Sequence, residues 1–191
     1  MIIGITGGTG CGKTTLLSCI AQQGGLILDC DEIYHRLLTE DKNLLLSIEE
    51  QFPGVVENGV LQRKKLGNIV FADEKALRDL NAITHAAVKK EVLRLLENTP
   101  KLAAIDAIGL FEGDLATLCD VTVAVIAPVE DRVRRLMARD GISEEYAHKR
   151  IAAQRSNGEF SALCSHTLEN DGDICAFRAK CLAFLAGFGI M

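Results

Sequence analysis

Short apolar runs alternate along the chain with longer segments in which apolar residues recur every three or four positions. The runs predict strands, and uninterrupted apolar stretches are typical of strands that are buried on both faces. The longer segments predict helices, and regular alternation of the two is typical of a parallel α/β sheet. Predicted strands are Ile2–Thr6, Leu26–Asp29, Leu102–Asp106, Val121–Ile126 and, as the least apolar, His166–Glu169.

The helical periodicity predicts a layer of helices on each face of this sheet, and therefore a single three-layer domain over residues 1–191. Residues 39–100 contain helical patterns and no strand pattern, so we predict that they form a helical insertion. Predicted helices are Lys13–Gln23, Asp31–Leu38, Lys42–Phe52, Lys64–Phe71, Glu74–Glu97, Val129–Arg139, Ser143–Arg155 and Asp173–Phe188.

A glycine-rich segment follows the first strand directly. Residues Gly7–Thr14 have the spacing G-x-x-x-x-G-K-[ST], which is the P-loop pattern between a strand and a helix. Its glycines allow backbone amides to surround a phosphate chain, and the helix N-terminus adds partial positive charge. Lys13 is predicted to reach the β- and γ-phosphates, and the Thr14 hydroxyl to hold Mg²⁺. The predicted nucleotide-binding residues are Gly8, Gly10, Cys11, Gly12, Lys13, Thr14 and Thr15.

Composition narrows the kind of substrate and the compartment. The formal net charge of −5 argues against general nucleic-acid binding, which needs a basic surface. No apolar stretch of the sequence is long enough to span a membrane, and we expect no signal peptide because the P-loop occupies the positions that its apolar core would need. The seven cysteines show no C-x-x-C pair, which favours reduced thiols in a cytoplasmic protein. Cys11 is the exception, because a thiol near a helix N-terminus is expected to be more reactive than the others; its redox sensitivity stays open.

A P-loop serves switches, motors and kinases alike. The chain lacks the Asn-Lys-x-Asp sequence of GTPases, and it is short for a motor or helicase. Arginines between Arg132 and Arg155 favour a small-molecule kinase, in which a mobile lid carries arginine over the phosphates. The alternative for these arginines is a solvated helix face, and Arg139, which precedes a helix-ending Gly141, is the preferred functional candidate.

Two carboxylates at strand ends have two interpretations each. Asp31 follows the second strand, where ligands of open α/β sheets bind, so it is a candidate for general base or hydroxyl-orienting residue; it is also a candidate N-cap. Asp106 ends an apolar strand and is either a Walker B residue with a water-mediated hold on Mg²⁺ or a plain turn residue.

Taken in order, several blocks resemble the dephospho-coenzyme A kinase family, from Ile3 to about Gly172. No single block outside the P-loop is specific for this family, but the blocks together and in this order are. The matching blocks are Thr6–Thr15, Asp29–His35 (Asp-x-Asp-x-Ile-x-His), Leu61–Phe71 (Leu-x-Arg…Val-Phe), Leu80–His85 (Leu-x-x-Ile-x-His), Leu110–Glu112, Arg135–Gly141 (Arg-Leu-x-x-Arg-Asp-Gly) and Arg150–Gln154.

The resemblance implies transfer of the ATP γ-phosphoryl group to the 3′-hydroxyl of the ribose in dephospho-coenzyme A, with ATP and Mg²⁺ as cofactors. It implies that Asp31 takes or orients the hydroxyl proton. Arg63, Phe71 and His85 would lie in the acceptor region, and Arg139 in a lid over about residues 139–160. We expect a monomer or weak homo-oligomer that binds neither nucleic acid nor membranes.

The chain also departs from the family pattern around the acceptor pocket, the lid base and the adenine side. A nucleoside or nucleotide kinase, or a catalytically weakened nucleotide-binding homologue, therefore stays an alternative. Phe71 and His85 would otherwise be a core phenylalanine and a packed or capping histidine. The departures are at Ile108, Gly109, Ala86, Phe160, Cys164 and Ser165.

Overall fold

The structure, a computed structural model, describes residues 1–97 and 101–190. The end of the predicted insertion and the last residue of the chain therefore lie outside the described residues. The described chain divides into two compact units: residues 1–28, 101–110 and 115–190, and residues 29–97 and 111–114.

The strands in chain order are β1 (Ile2–Thr6), β2 (Leu26–Asp29), β3 (Val56–Glu57), β4 (Val60–Leu61), β5 (Ala103–Asp106), β6 (Val121–Ile126) and β7 (His166–Glu169). The α-helices are α1 (Lys13–Gln22), α2 (Cys30–Glu40), α3 (Lys42–Gln51), α4 (Arg63–Val70), α5 (Glu74–Leu96), α6 (Val129–Asp140), α7 (Glu144–Ala152), α8 (Asn157–Leu163) and α9 (Ile174–Ala186). A short 3₁₀ helix spans Ala116–Leu118.

The first unit is built on a five-stranded sheet with the order β2-β5-β1-β6-β7. The pairs β1–β5, β1–β6 and β6–β7 are parallel, and Ile3 of the central strand lies opposite Ala104 and Val121. Ile3 and Ile5 are fully buried and pack with residues of α1 and α9. The apolar runs form strands because β1 is covered on both faces, and the predicted three-layer α/β fold with a five-stranded sheet is confirmed.

The second unit consists mainly of helices. The long helix α5 contacts α2, α3 and α4. Its Glu91 accepts hydrogen bonds from Arg36 of α2 at 2.8 Å and from Arg94 at 2.7 Å, and these arginines lower the pKa of Glu91 to about 2. The ion pair between Arg36 and Glu91 links α2 to α5.

The prediction of no strand in residues 39–100 is wrong. β3 and β4 form an antiparallel hairpin whose turn residues, Asn58 and Gly59, have φ values of 52° and 76°. Asn-Gly is the preferred sequence for a two-residue hairpin turn with positive φ. The strands are too short to show an apolar alternation, so the turn was the available signal.

Two helix predictions also need correction. Helix α8 was not predicted, although Ser156 and Glu159 form a capping box at its start. Asp31 is not the N-cap of α2: Asp29 is, since its Oδ1 accepts from the amides of Asp31 at 2.9 Å and Glu32 at 3.1 Å. In the described part of the chain, no helix is both long and apolar enough to cross a membrane.

Candidate active site

The phosphate loop lies between β1 and α1, where the sequence predicted it. Gly7, Gly10 and Gly12 have positive φ values of 141°, 78° and 97°, which side-chain-bearing residues rarely adopt. Gly12 also occupies the N-cap position of α1. Because glycine has no side chain that could accept from the first amides of the helix, no capping side chain competes with an anion for them.

Side chains from other elements hold the carbonyl groups of the loop. Arg132 Nε donates to the Thr9 carbonyl at 2.9 Å, and Arg135 donates to the Gly10 carbonyl at 3.1 Å. Asn170 Nδ2 donates to the Cys11 carbonyl at 2.9 Å. With its carbonyls fixed from outside, the loop is preorganised to direct amides toward a phosphate.

Lys13 is held between two oxygen acceptors. Its Nζ donates to the Gly7 carbonyl at 3.2 Å and lies 3.9 Å from Asp106 Oδ1. The side chains of Lys13 and Asp106 are both largely buried. The parallel register of β1 and β5 places Ile5 opposite Asp106, which brings this carboxylate to the strand end beside the loop. This arrangement favours the Walker B interpretation of Asp106 over a plain turn residue.

Cys11 does not fit the prediction of a reactive thiol. Its side chain is buried beneath the loop, and burial raises its pKa despite the nearby charge of Lys13. A thiolate is the reactive form of cysteine, so a raised pKa lowers reactivity. The helix-terminus argument was outweighed by desolvation, and the prediction is wrong in this structure.

The segment predicted as a lid contains a compact charge cluster. Gly141 ends α6 in the left-handed conformation with φ 64°, as predicted. Arg139 donates to both oxygens of Asp140 at 2.6 and 3.0 Å, and Arg150 of α7 donates to Asp140 at 2.6 Å. The two guanidinium groups lower the pKa of Asp140 to about 2. The Arg139 side chain is nevertheless 61% exposed, so it is accessible to a ligand.

Asp31 lies in the second unit, in the first turn of α2, and is exposed. Because Asp29 serves as the cap, the carboxylate of Asp31 is not needed for helix capping. A carboxylate in the first helical turn also interacts favourably with the helix dipole. An exposed carboxylate can accept a hydrogen bond from a hydroxyl group.

The other predicted acceptor residues belong to the second unit. They lie at the two ends of α4 and on α5. Arg63 begins α4 and acts electrostatically on Tyr34 of α2, which is half-buried. Phe71 follows α4 and is 85% exposed, so the alternative of a core phenylalanine is wrong. His85 lies on α5 and is half-buried. The exposed ring of Phe71 is therefore a candidate for ligand contact.

Several departures from the family pattern have structural roles. Phe160 is buried in the core of the first unit. The Ser165 hydroxyl accepts from the Thr122 amide at 3.0 Å and donates to its carbonyl at 2.9 Å, where β7 joins β6. The Ile108 carbonyl accepts from the Thr6 hydroxyl at 3.2 Å. The substituted side chains of Phe160 and Ser165 therefore support the fold, whereas the contact at Ile108 is made by a backbone carbonyl that any residue would supply.

Sequence reasoning missed the residues that support the loop from a distance. Arg132 and Arg135 were grouped with the lid arginines, and Asn170 was not considered. Each contacts the loop across more than a hundred residues of chain, so no local pattern links them. Gln154 is a fourth supporting side chain, since its Oε1 accepts from the Thr9 amide at 2.8 Å. The family blocks that contain Arg135 and Gln154 were the available signal for these two.

The sequence model of the family CoaE, dephospho-CoA kinase, matches residues 1–176. The chain belongs to the dephospho-CoA kinase family. It is 34% identical over 190 residues to the dephospho-CoA kinase of Latilactobacillus sakei, covering 97% of this chain and 94% of that one. The predicted kinase activity and role in coenzyme A biosynthesis are confirmed by this membership.

Solved structures agree with the assignment. The crystal structure of TT1252 from Thermus thermophilus matches with a TM-score of 0.81 and 33% identity, covering 98% of this chain and 97% of that one. The dephospho-CoA kinase from Campylobacter jejuni matches with a TM-score of 0.70 and 23% identity, covering 100% and 98%. At that lower identity, the second match supports the fold alone.

Proposed function

We propose that this chain transfers the γ-phosphoryl group of ATP to the 3′-hydroxyl of the ribose in dephospho-coenzyme A. The observation that carries the proposal is the preorganised phosphate loop with Lys13 fixed between Gly7 and Asp106. Membership in the dephospho-CoA kinase family supports the acceptor. In phosphoryl transfer the protein contributes mainly positioning and charge stabilisation, which are the properties that this loop provides.

The donor side has a role for each loop element. The amides of the loop and of the first turn of α1 would bind the β- and γ-phosphate oxygens of ATP. The ammonium group of Lys13 would stabilise the charge that develops on the γ-phosphoryl oxygens. The contributing residues are Gly8, Gly10, Cys11, Gly12, Lys13, Thr14 and Thr15.

The residues at the loop also suit Mg²⁺. Thr14 supplies a hydroxyl and Asp106 a carboxylate, and Mg²⁺ prefers oxygen ligands. Within residues 1–97 and 101–190, no group of three or more histidine, cysteine or acidic residues could form a metal site by itself. That agrees with a cation held jointly by few protein oxygens, phosphates and water. When bound, it would neutralise phosphate charge.

On the acceptor side, we propose that Asp31 accepts a hydrogen bond from the 3′-hydroxyl and takes its proton as the new P–O bond forms. This role is supported by the exposure of its carboxylate and by the fact that Asp29, and not Asp31, caps α2. Arg63, Phe71 and His85 would bind other parts of the acceptor. The exposed ring of Phe71 is suited to an apolar or planar group, and the guanidinium of Arg63 to the diphosphate.

We propose that Arg139 exchanges its contact with Asp140 for one with the transferring phosphoryl group. The exposed side chain and the second arginine on Asp140, Arg150, support this exchange, since Asp140 keeps a cationic partner when Arg139 leaves. We further infer a cytoplasmic enzyme that is a monomer or weak homo-oligomer. The free state of the seven cysteines agrees with a reducing compartment.

An acceptor panel tests this function. The purified enzyme is given ATP and Mg²⁺ with dephospho-coenzyme A, adenosine, AMP or shikimate, and ATP consumption is coupled to product identification by mass. We expect turnover with dephospho-coenzyme A and a product heavier by one phosphoryl group. Turnover with a nucleoside or nucleotide alone would establish the alternative kinase, and ATP binding without turnover would establish the weakened homologue.

A further inference from the structure

A buried arginine lies directly against the phosphate loop. Arg132 of α6 is 2% exposed and is among the largest fully buried side chains of the first unit. Its Nε donates to the Thr9 carbonyl, and its Nη2 donates to Gln154 Oε1 at 3.1 Å. The same Gln154 oxygen accepts from the Thr9 amide at 2.8 Å. Arg132, Gln154 and Thr9 thus form a closed set of hydrogen bonds.

The loop sequence accommodates this arginine closely. A Cβ atom at Gly8 would collide with the guanidinium of Arg132, and one at Gly10 would lie 2.9 Å from its carbonyl oxygen. Both glycines leave room for the approach of Arg132, and Gly10, with a φ of 78°, is also required by the turn itself. The guanidinium lies beside the backbone that is to surround the phosphates.

The charge of Arg132 has neutral partners. Its two hydrogen-bond acceptors are a backbone carbonyl and a side-chain amide, and no carboxylate among the described residues forms an ion pair with it. Burial accordingly lowers its pKa. A buried cation without an anion is costly, and proteins usually compensate it with a paired charge.

We propose that Arg132 is a positioning residue for the nucleotide. The phosphate chain of ATP supplies the negative charge that the Arg132 guanidinium lacks in the ligand-free protein. Arg132 acts through Thr9 and Gln154: it holds the loop in its binding geometry and keeps a positive charge behind it. The ligand-free protein bears the cost of that charge, and phosphate binding relieves it. This inference rests on the proposed function of the loop as an ATP site.

The probe for the test is inorganic tripolyphosphate with Mg²⁺, measured by calorimetry on the full chain. The variant Arg132→Gln keeps hydrogen-bonding groups but loses the charge. We expect it to weaken tripolyphosphate binding about ten- to a hundredfold, which corresponds to the loss of one charge-assisted hydrogen bond. Arg132→Lys, which keeps the charge, should recover most of the affinity. The matched control is Arg134→Gln on the same helix, whose side chain is 74% exposed; it should bind as the wild type does.

A second variant avoids removing the arginine. Gln154→Glu is nearly isosteric and supplies a carboxylate beside Arg132. If the guanidinium lacks a counter-charge, this variant should raise the thermal unfolding midpoint of the ligand-free protein and weaken tripolyphosphate binding, because the site is then neutralised internally. A purely structural Arg132 predicts that Gln154→Glu binds tripolyphosphate as the wild type does.

The outcomes are separable from those of the proposed function. If the wild type does not bind tripolyphosphate, the phosphate-loop assignment fails, and this inference fails with it. If the wild type binds but Arg132→Gln binds equally well, the inference alone is overturned. Equal losses in Arg132→Gln and Arg132→Lys would also overturn it, because shape and not charge would then matter.

Discussion

Replacement of Lys13 by methionine separates the stabilising role of its charge from the catalytic one. Methionine keeps most of the apolar stem and removes the ammonium group. In the ligand-free protein, the lost interactions are one hydrogen bond to the Gly7 carbonyl at 3.2 Å and a charge contact with Asp106 at 3.9 Å. The second distance is too long for a hydrogen bond, so that contact is Coulombic alone.

The magnitudes differ between the two roles. A 4 Å charge pair has about 4 kcal/mol of Coulomb energy near a protein surface, but the desolvation of both groups offsets most of it. We therefore expect the free energy of unfolding to fall by about 1–3 kcal/mol, which includes the cost of leaving Asp106 without this cation. Loss of a preorganised positive group at the reacting phosphoryl should lower kcat by about 10²–10³.

A double variant distinguishes these effects. Adding Asp106→Asn to Lys13→Met also removes the carboxylate that faced the lost ammonium group, so it should restore part of the stability without restoring turnover. The control is Lys75→Met: Lys75 is an exposed lysine of α5 paired with Asp79 at 2.9 Å, and its loss should change neither quantity measurably. Stability is followed by denaturant unfolding and turnover by the coupled ATP assay. Turnover of Lys13→Met at the level of the Lys75→Met control would refute the reasoning.

Three further predictions concern the acceptor carboxylate, a charge pair and the cysteines. Asp31→Asn should lower kcat and leave ATP affinity in calorimetry nearly unchanged; a large loss of ATP affinity would show that Asp31 holds the metal or the fold. The pKa of Glu91 is lowered from its usual value of about 4.5, so its ionised form stabilises the folded protein at pH values above about 4.5. This contribution is lost as the pH falls through about 2. The difference in unfolding free energy between wild type and Glu91→Gln should therefore shrink over that range, and a constant difference would contradict the role of the charge. Iodoacetamide should modify the exposed Cys175 before the buried Cys11, as mapped by peptide mass, and the reverse order would contradict the burial of Cys11.

The sheet could be predicted from the sequence almost residue by residue because most of its strands are apolar runs; only β7, with a single apolar residue, is not. The predicted bounds of β2, β6 and β7 match the structure, as does the position of the phosphate loop. The loop is local in sequence, so its strand, glycines and lysine appear in one motif. The hairpin at Asn58 was missed because two-residue strands carry no periodicity, and only its turn residues signal it.

The support of the loop could not be predicted in the same way. Arg132, Gln154 and Asn170 reach it across long stretches of chain, and their burial depends on how α6 and β7 pack in the first unit. The reactivity of Cys11 was wrongly predicted because proximity to a helix N-terminus is visible in the sequence, whereas desolvation is not. Both cases show that local patterns locate the chemistry, and tertiary packing sets its electrostatics.

The position of the transferred phosphoryl group tests the central claim most directly. Dephospho-coenzyme A has more than one hydroxyl group, so mass alone does not identify the acceptor atom. A phosphorus–proton correlation spectrum of the purified product, made with the wild-type enzyme, ATP and Mg²⁺, identifies it. The account predicts a new phosphorus signal coupled to the ribose H3′ proton. Coupling to H2′ or to the pantetheine arm, or the absence of any phosphorylated product, would contradict it.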